Sequence, residues 1–234
     1  MSTTDLQAQL LSMHDEEYKT FNAKLIPTVD KTTMIGIRVP VLRKFAKAFF
    51  KTQPDQVAAF MEMLPHTYFE ENNLHAFFIE CIQSFEEAVQ KTELFLPFID
   101  NWETCDLFLP PVFKKHRGEL YQYILRWLQS EHCYTVRYAI GLLLSLYLDA
   151  EFKPNMLALV AGVVSDEYYV NMMIAWYFSI ALGKQYAAAV PYIESKQLNT
   201  FTHNKAIQKA CESRRITPEI KAYLKTYLDK KIRR

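Results

Sequence analysis

Apolar residues recur along most of this chain at intervals of three and four, the spacing that gathers them on one face of an α-helix. Val41, Leu42, Phe45, Ala46, Phe49 and Phe50 form one such stripe. Pro40 stands at its predicted first turn, where a missing N–H costs nothing. Further stripes run over about residues 69–83, 85–97, 119–129, 134–148, 156–164, 168–182, 203–212 and 218–230. Prolines at 54, 65, 97, 110, 111, 154, 191 and 218 fall mainly between them, as helix breakers should. The connections are short, which predicts antiparallel neighbours in an all-α fold.

The stripes also repeat. Thr135-Val-Arg-Tyr-Ala-Ile140, Tyr169-Val-Asn-Met-Met-Ile174 and Thr202-His-Asn-Lys-Ala-Ile207 lie over one another, so that Arg137, Asn171 and Asn204 coincide at spacings of 34 and 33. A similar step back from Arg137 reaches Thr104 and then Asn73. A period in the low thirties suits one helix pair per repeat, each burying its apolar face against the next. The expectation is an α-solenoid of HEAT-like antiparallel helix pairs, one domain over 1–234, with a concave face. On that face Arg137, Asn171 and Asn204 would form a row, with His203 and Lys205 beside it.

Composition supports helix and adds a charge gradient. The chain has five glycines in 234 residues, fewer than many-stranded folds need for turns. Formal net charge is +1, so no global field advertises a polyanion. Residues 118–234 nevertheless carry 15 Lys/Arg against 10 Asp/Glu, and residues 196–234 hold 11 basic against 3 acidic. A basic end of this kind either meets phosphates or is a solvated lysine-rich helix. Cys81, Cys105, Cys133 and Cys211 contain no C-x-x-C pair, which argues against zinc and for reduced thiols in a cytoplasmic protein. The N-terminal Met-Ser-Thr-Thr-Asp does not read as a secretory signal, and Tyr138–Leu148 is too short to span a bilayer.

Chemistry concentrates in Asp100-Asn-Trp-Glu-Thr-Cys-Asp106. Trp102 and Asp106 are four apart and share a helix face. An indole beside a carboxylate suits a cation, because the ring face attracts positive charge and the carboxylate neutralises it. The plainer alternative is a helix start capped by Asn101 or Asp100. Trp176, in a nearly all-apolar helix, reads by default as core. Arg137, inside an apolar stripe, calls for an acid such as Asp106 or for a groove. The chain carries no Gly-rich phosphate loop, no G-x-S-x-G elbow and no H-E-x-x-H, and its six histidines show no ligand spacing.

Over nearly its full length the chain resembles the AlkD family of HEAT-like-repeat DNA glycosylases. The segments that carry the resemblance are Ile35–Arg43, Asn101–Asp106, Tyr134–Ala139, Val170–Trp176 and His203–Lys209, in that order and spacing. The resemblance implies removal of cationic N3- and N7-alkylpurines from duplex DNA without metal or cofactor. It implies that Asp106 stabilises the positive sugar and helps place the water. Trp102 and Trp176 would pack on the deoxyribose, and Arg137 would contact the backbone. With the repeat row and the basic end, the DNA-contact set becomes Arg137, Asn171, His203, Asn204, Lys205, Lys209, Arg214 and Arg215.

The departures shape the expectation. Active members place an extra minor-groove helix just before the Gly-Ile segment. Here that stretch is Pro27-Thr-Val-Asp-Lys-Thr-Thr33, where a proline and β-branched residues make poor helix. Three residues after the second tryptophan, where the family tends to place a basic phosphate contact, stands Ser179. Members without the minor-groove helix form a paralogue group with weak DNA binding and little excision. The expectation is a monomeric DNA-binding relative of that kind, with no membrane or metal partner. A fully active glycosylase and a protein-interaction solenoid are the alternatives.

Overall fold

The computed structural model describes residues 3–229. The first two residues of the N-terminal segment, and residues 230–234 of the last stripe and basic end, lie outside the described residues. Those described form fourteen α-helices and three short 3-10 turns, with no strand among them. The all-helical expectation therefore holds. The helices gather into two compact units, divided after Arg117.

The first unit holds α1 (Thr3–Leu11), α2 (Glu16–Leu25), α3 (Val39–Thr52), α4 (Pro54–Met61), α5 (Phe69–Ile79), α6 (Phe85–Phe95) and α7 (Trp102–Leu107). Helix α5 packs against α3, α4, α6 and α7, and all eleven of its residues are buried. A helix buried all round is ordinarily apolar, yet α5 carries Glu70, Glu71, Asn73 and His75. Each is a connector. Glu70 accepts the backbone N–H groups of Ile35, Gly36 and Ile37 at 2.7, 2.7 and 3.2 Å. Glu71 accepts from the N–H groups of Thr67 and Tyr68, completing a capping box. Asn73 accepts from Thr104 at 2.7 Å, and His75 shares a 2.9 Å hydrogen bond with His66. Buried polar groups persist only when bonded, so these side chains fix which loops lie against α5.

Gly36 shows why its position tolerates no side chain. Its φ is +94°, and a Cβ there would stand 2.5 Å from the Asp15 carbonyl and 2.6 Å from Lys19 Cβ. Its carbonyl accepts from the Asp15 N–H at 3.0 Å, which joins this strand-like stretch to the start of α2.

The second unit holds α8 (Arg117–Trp127), α9 (Cys133–Leu146), α10 (Asn155–Ala161), α11 (Tyr168–Lys184), α12 (Tyr186–Glu194), α13 (Thr200–Glu212) and α14 (Pro218–Lys225). Helix α11 is central here, packing against α9, α10, α12 and α13.

Two sets of hydrogen bonds, one in each unit, match residue for residue. Asn101 caps α7 by accepting from the Thr104 N–H, and Thr104 Oγ1 donates to Asn73, 31 residues back. Asn199 caps α13 by accepting from the Thr202 N–H, and Thr202 Oγ1 donates to Asn171, also 31 residues back. His132 caps α9 in the same way through Thr135. This capping frame refines the register read from sequence: Asp106, Arg137 and Asn204 fall at the fifth position of α7, α9 and α13. It is Thr202, not Asn204, that meets Asn171.

Helices α1, α2, α4 and α12 are not among the stripes read from sequence; α1 and α2 are polar enough to blur the period, and α12 carries an internal proline. Pro54 stands at the break between α3 and α4, as the first residue of α4, whereas Pro191 lies inside α12, which corrects its reading as a breaker. Helix α13 starts at Thr200 behind its Asn199 cap, ahead of the stripe read over 203–212. Among the described residues no helix is long and apolar enough to cross a membrane.

Candidate functional site

Helix α7 has six residues, too few to stand without tertiary support. Asn101 holds its N-terminus through the Thr104 N–H at 2.8 Å and the Thr104 hydroxyl at 3.0 Å. Of the two caps open from sequence, Asn101 is the one used. Trp102 donates its indole N–H to the Leu25 carbonyl at 3.1 Å and packs against the cluster of Ile26, Met34 and Phe69, with Ala23 and Val29 alongside. Asp106 follows one turn later and is exposed.

The Pro27–Thr33 stretch forms no α-helix. It turns after α2 and closes with a single 3-10 turn over Lys31–Thr33, capped by Asp30, whose carboxylate accepts from the Thr32 N–H. Val29 packs on the apolar cluster of the flanking Ile26 and Met34 with Phe69, the same cluster that Trp102 packs against.

Helix α7 carries two kinds of carboxyl. Glu103 is buried, and burial pushes its carboxyl above the ordinary range, with Glu70 adding to the rise and Asn22 opposing it. Glu103 Oε1 and Asn22 Nδ2 both lack a hydrogen-bond partner in range. Burial, Glu103 and Glu70 together push the Tyr18 hydroxyl up to about 12. Asp106, by contrast, is exposed. One short helix thus separates a buried acid from an exposed carboxylate.

In the second unit Arg137 is buried and donates to the Tyr169 carbonyl at 2.7 Å, tying α9 to the first turn of α11. Asn171 is also buried. It donates to the Ser165 carbonyl at 2.7 Å and accepts from Asn199 and Thr202. His203 is 1 % exposed, with Nε2 against the Tyr227 carbonyl at 2.9 Å and Nδ1 lacking a partner in range. Asn204 exchanges two hydrogen bonds with the backbone of Asp229. In this conformation Asn171, His203 and Asn204 are engaged in joining helices and chain segments.

The surface groups lie elsewhere. Trp176 is 37 % exposed, which corrects its default reading as core. Helical spacing places Tyr168, Met172, Trp176 and Ile180 on one ridge of α11, and none of the four is buried. The Tyr168 ring also meets Phe201 of α13 at 5.7 Å. Lys205 and Lys209 are partly exposed on α13, and Arg214 and Arg215 are exposed in the turn beyond it. Ser179 is buried and donates its hydroxyl to the Trp176 carbonyl at 2.8 Å, three residues back on its own helix.

The chain matches the family described as DNA alkylation repair enzyme over residues 6–211. It belongs to that family. The assignment bears out the AlkD-type resemblance, and the matched stretch contains Trp102, Asp106, Arg137 and Trp176. Arg214 and Arg215 lie beyond it. No curated protein matches the chain. Among the described residues, no group of three or more His, Cys, Asp or Glu could hold a metal ion.

Sequence reasoning missed the anchors of this family site. Glu70 sits in an apolar stripe, and neither its three N–H partners nor its distance from Gly36 leaves a local signature. The paired Asn-x-x-Thr motifs at 101–104 and 199–202 were the available signal for the caps.

Proposed function

We propose that this member of the DNA alkylation repair family is a DNA-binding relative with weak duplex affinity and reduced or absent excision of alkylpurines. Asp106 is the carboxylate that would face a cationic sugar, with Trp102 one turn before it. Trp176 and the basic residues of α13 and the following turn are the DNA contacts of the second unit, with the buried Arg137, Asn171 and His203, and Asn204, supporting them from behind.

The observation that carries the reading is the Pro27–Thr33 segment. It supplies a turn where active relatives insert a minor-groove helix, and its Val29 packs on the same apolar cluster that Trp102 meets. Ser179 adds to it: its hydroxyl bonds its own helix where a basic residue would meet phosphate. Each lost phosphate contact weakens binding at every sequence.

The test is release of free base from an N7-methylguanine duplex, with Asp106→Asn as control, alongside duplex binding at physiological salt. Expected are dissociation constants above micromolar and release close to the control. Submicromolar binding with turnover well above Asp106→Asn overturns the reading in favour of an active glycosylase. No binding even at low salt points to a protein-interaction role.

A further inference from the structure

Helix α7 ends one residue after Asp106, and its last carbonyls have no partner within the helix. The structure supplies one from α3. Arg43 donates Nη2 to the carbonyl of Leu107 at 3.1 Å, directly after Asp106. The other arm of the same guanidinium, Nη1, donates to Glu80 Oε2. Glu80, at the C-terminal end of α5, uses Oε1 to accept the N–H of Leu109 at 3.0 Å. One ion pair therefore holds both sides of the α7 exit, the carbonyl of Leu107 and the amide of Leu109.

The pair is built to be rigid. The Glu80 side chain is 9 % exposed and that of Arg43 is 32 % exposed. The guanidinium also lies over the Phe77 ring, 4.1 Å from its centroid. A planar fork with two engaged arms fixes direction in a way one ammonium does not. A carboxylate in the last turn of a helix is electrostatically disfavoured by the carbonyl ends, and a cation bonded to the last carbonyl offsets this.

We infer that Arg43 and Glu80 are positioning residues for Asp106, setting where its carboxylate projects by clamping the backbone that follows it. The inference rests on the reading of Asp106 as the site carboxylate. Arg43 and Glu80 act through the backbone at Leu107 and Leu109, not through contact with a substrate.

The variants are Arg43→Lys, which keeps the charge opposite Glu80 but cannot serve both acceptors, and Glu80→Gln, which keeps an acceptor for the Leu109 N–H. Glu80→Ala strands the guanidinium and risks unfolding, so it serves only as the extreme. The primary readout is NMR: amide exchange at Leu109 and the carboxyl ¹³C titration of Asp106, with α11 amides as an internal reference for global stability. Expected for Arg43→Lys is a shifted Asp106 titration and at least tenfold faster Leu109 exchange with α11 unchanged. Glu80→Gln should restore most of the Leu109 protection that Glu80→Ala loses. Wherever wild-type base release exceeds Asp106→Asn, Arg43→Lys should lower the single-turnover rate about tenfold at unchanged duplex affinity. An Asp106 titration and Leu109 exchange that do not move in Arg43→Lys overturn the inference. Wild-type release no greater than Asp106→Asn removes excision from the functional reading, and the NMR arm then decides the positioning role alone.

Discussion

His66 and His75 in the first unit show how local environment sets a residue's behaviour. Their rings share a 2.9 Å hydrogen bond, His75 stacks on Phe95 at 4.2 Å, and His66 stacks on Phe60 at 4.3 Å. Burial pulls His66 down to about 4, and burial together with the neighbouring His66 and Lys91 pulls His75 down to about 2. Both values lie below the unfolded histidine value of 6.5. Their contribution to stability is therefore complete above pH 6.5 and is lost as pH falls from there through the folded values, because the unfolded chain takes up protons that the fold refuses. His75→Leu should flatten the fall in urea-unfolding free energy between pH 6.5 and 4.5 by on the order of 2 kcal/mol. An unchanged slope would mean that His75 is already charged in the fold. From the sequence these two histidines looked merely scattered, since nothing local marks the aromatic rings that desolvate them.

At the scale of elements, the two matched caps differ in one respect. Thr104 and Thr202 each bond the asparagine cap of their helix through the backbone N–H and donate the hydroxyl to an asparagine 31 residues back. Asn171 has a second donor in Asn199 at 2.7 Å, whereas Asn101 turns its amide to Asp100 and Thr104. Removing the Thr104 hydroxyl leaves a buried Asn73 oxygen short of its donor, a loss worth about 1–3 kcal/mol. Thr104→Val should thus cost more stability than Thr202→Val, by about 1 kcal/mol in denaturant midpoints. Equal losses would show that the Asn199 donor compensates nothing. Long helices such as α9 and α11 were legible from their sustained apolar runs alone. The six-residue α7 was legible only through its Trp102–Asp106 spacing, because its stability comes from groups far away in sequence.

For the whole molecule, the relevant quantity is where charge collects. Net charge is +1, but the basic residues concentrate toward the C-terminal end. Lys209, Arg214 and Arg215 lie partly or fully exposed on or just after α13. If each meets one phosphate, the triple change to Ser should lower the slope of log K against log salt by about 2–3. Thermal unfolding should barely move, since surface charges contribute little to folding stability. A slope unaffected by the triple change would place the DNA contacts elsewhere.

What the sequence by itself determined is the class of fold and the family. Helical period is a local property, and a few long stripes separated by prolines suffice to show it. The ordered segments from Ile35 to Lys209 likewise carried the family resemblance that the match over 6–211 bears out. The tertiary structure alone decided which polar residues are available at the surface. Arg137, Asn171 and His203 are buried, Trp176 is exposed, and Asp106 stands at the end of a helix clamped by Arg43 and Glu80. The burial of Arg137 and His203 and the clamp beside Asp106 depend on partners 24 to 64 residues away along the chain. Burial of a polar side chain is decided by whether such a distant partner arrives to satisfy it.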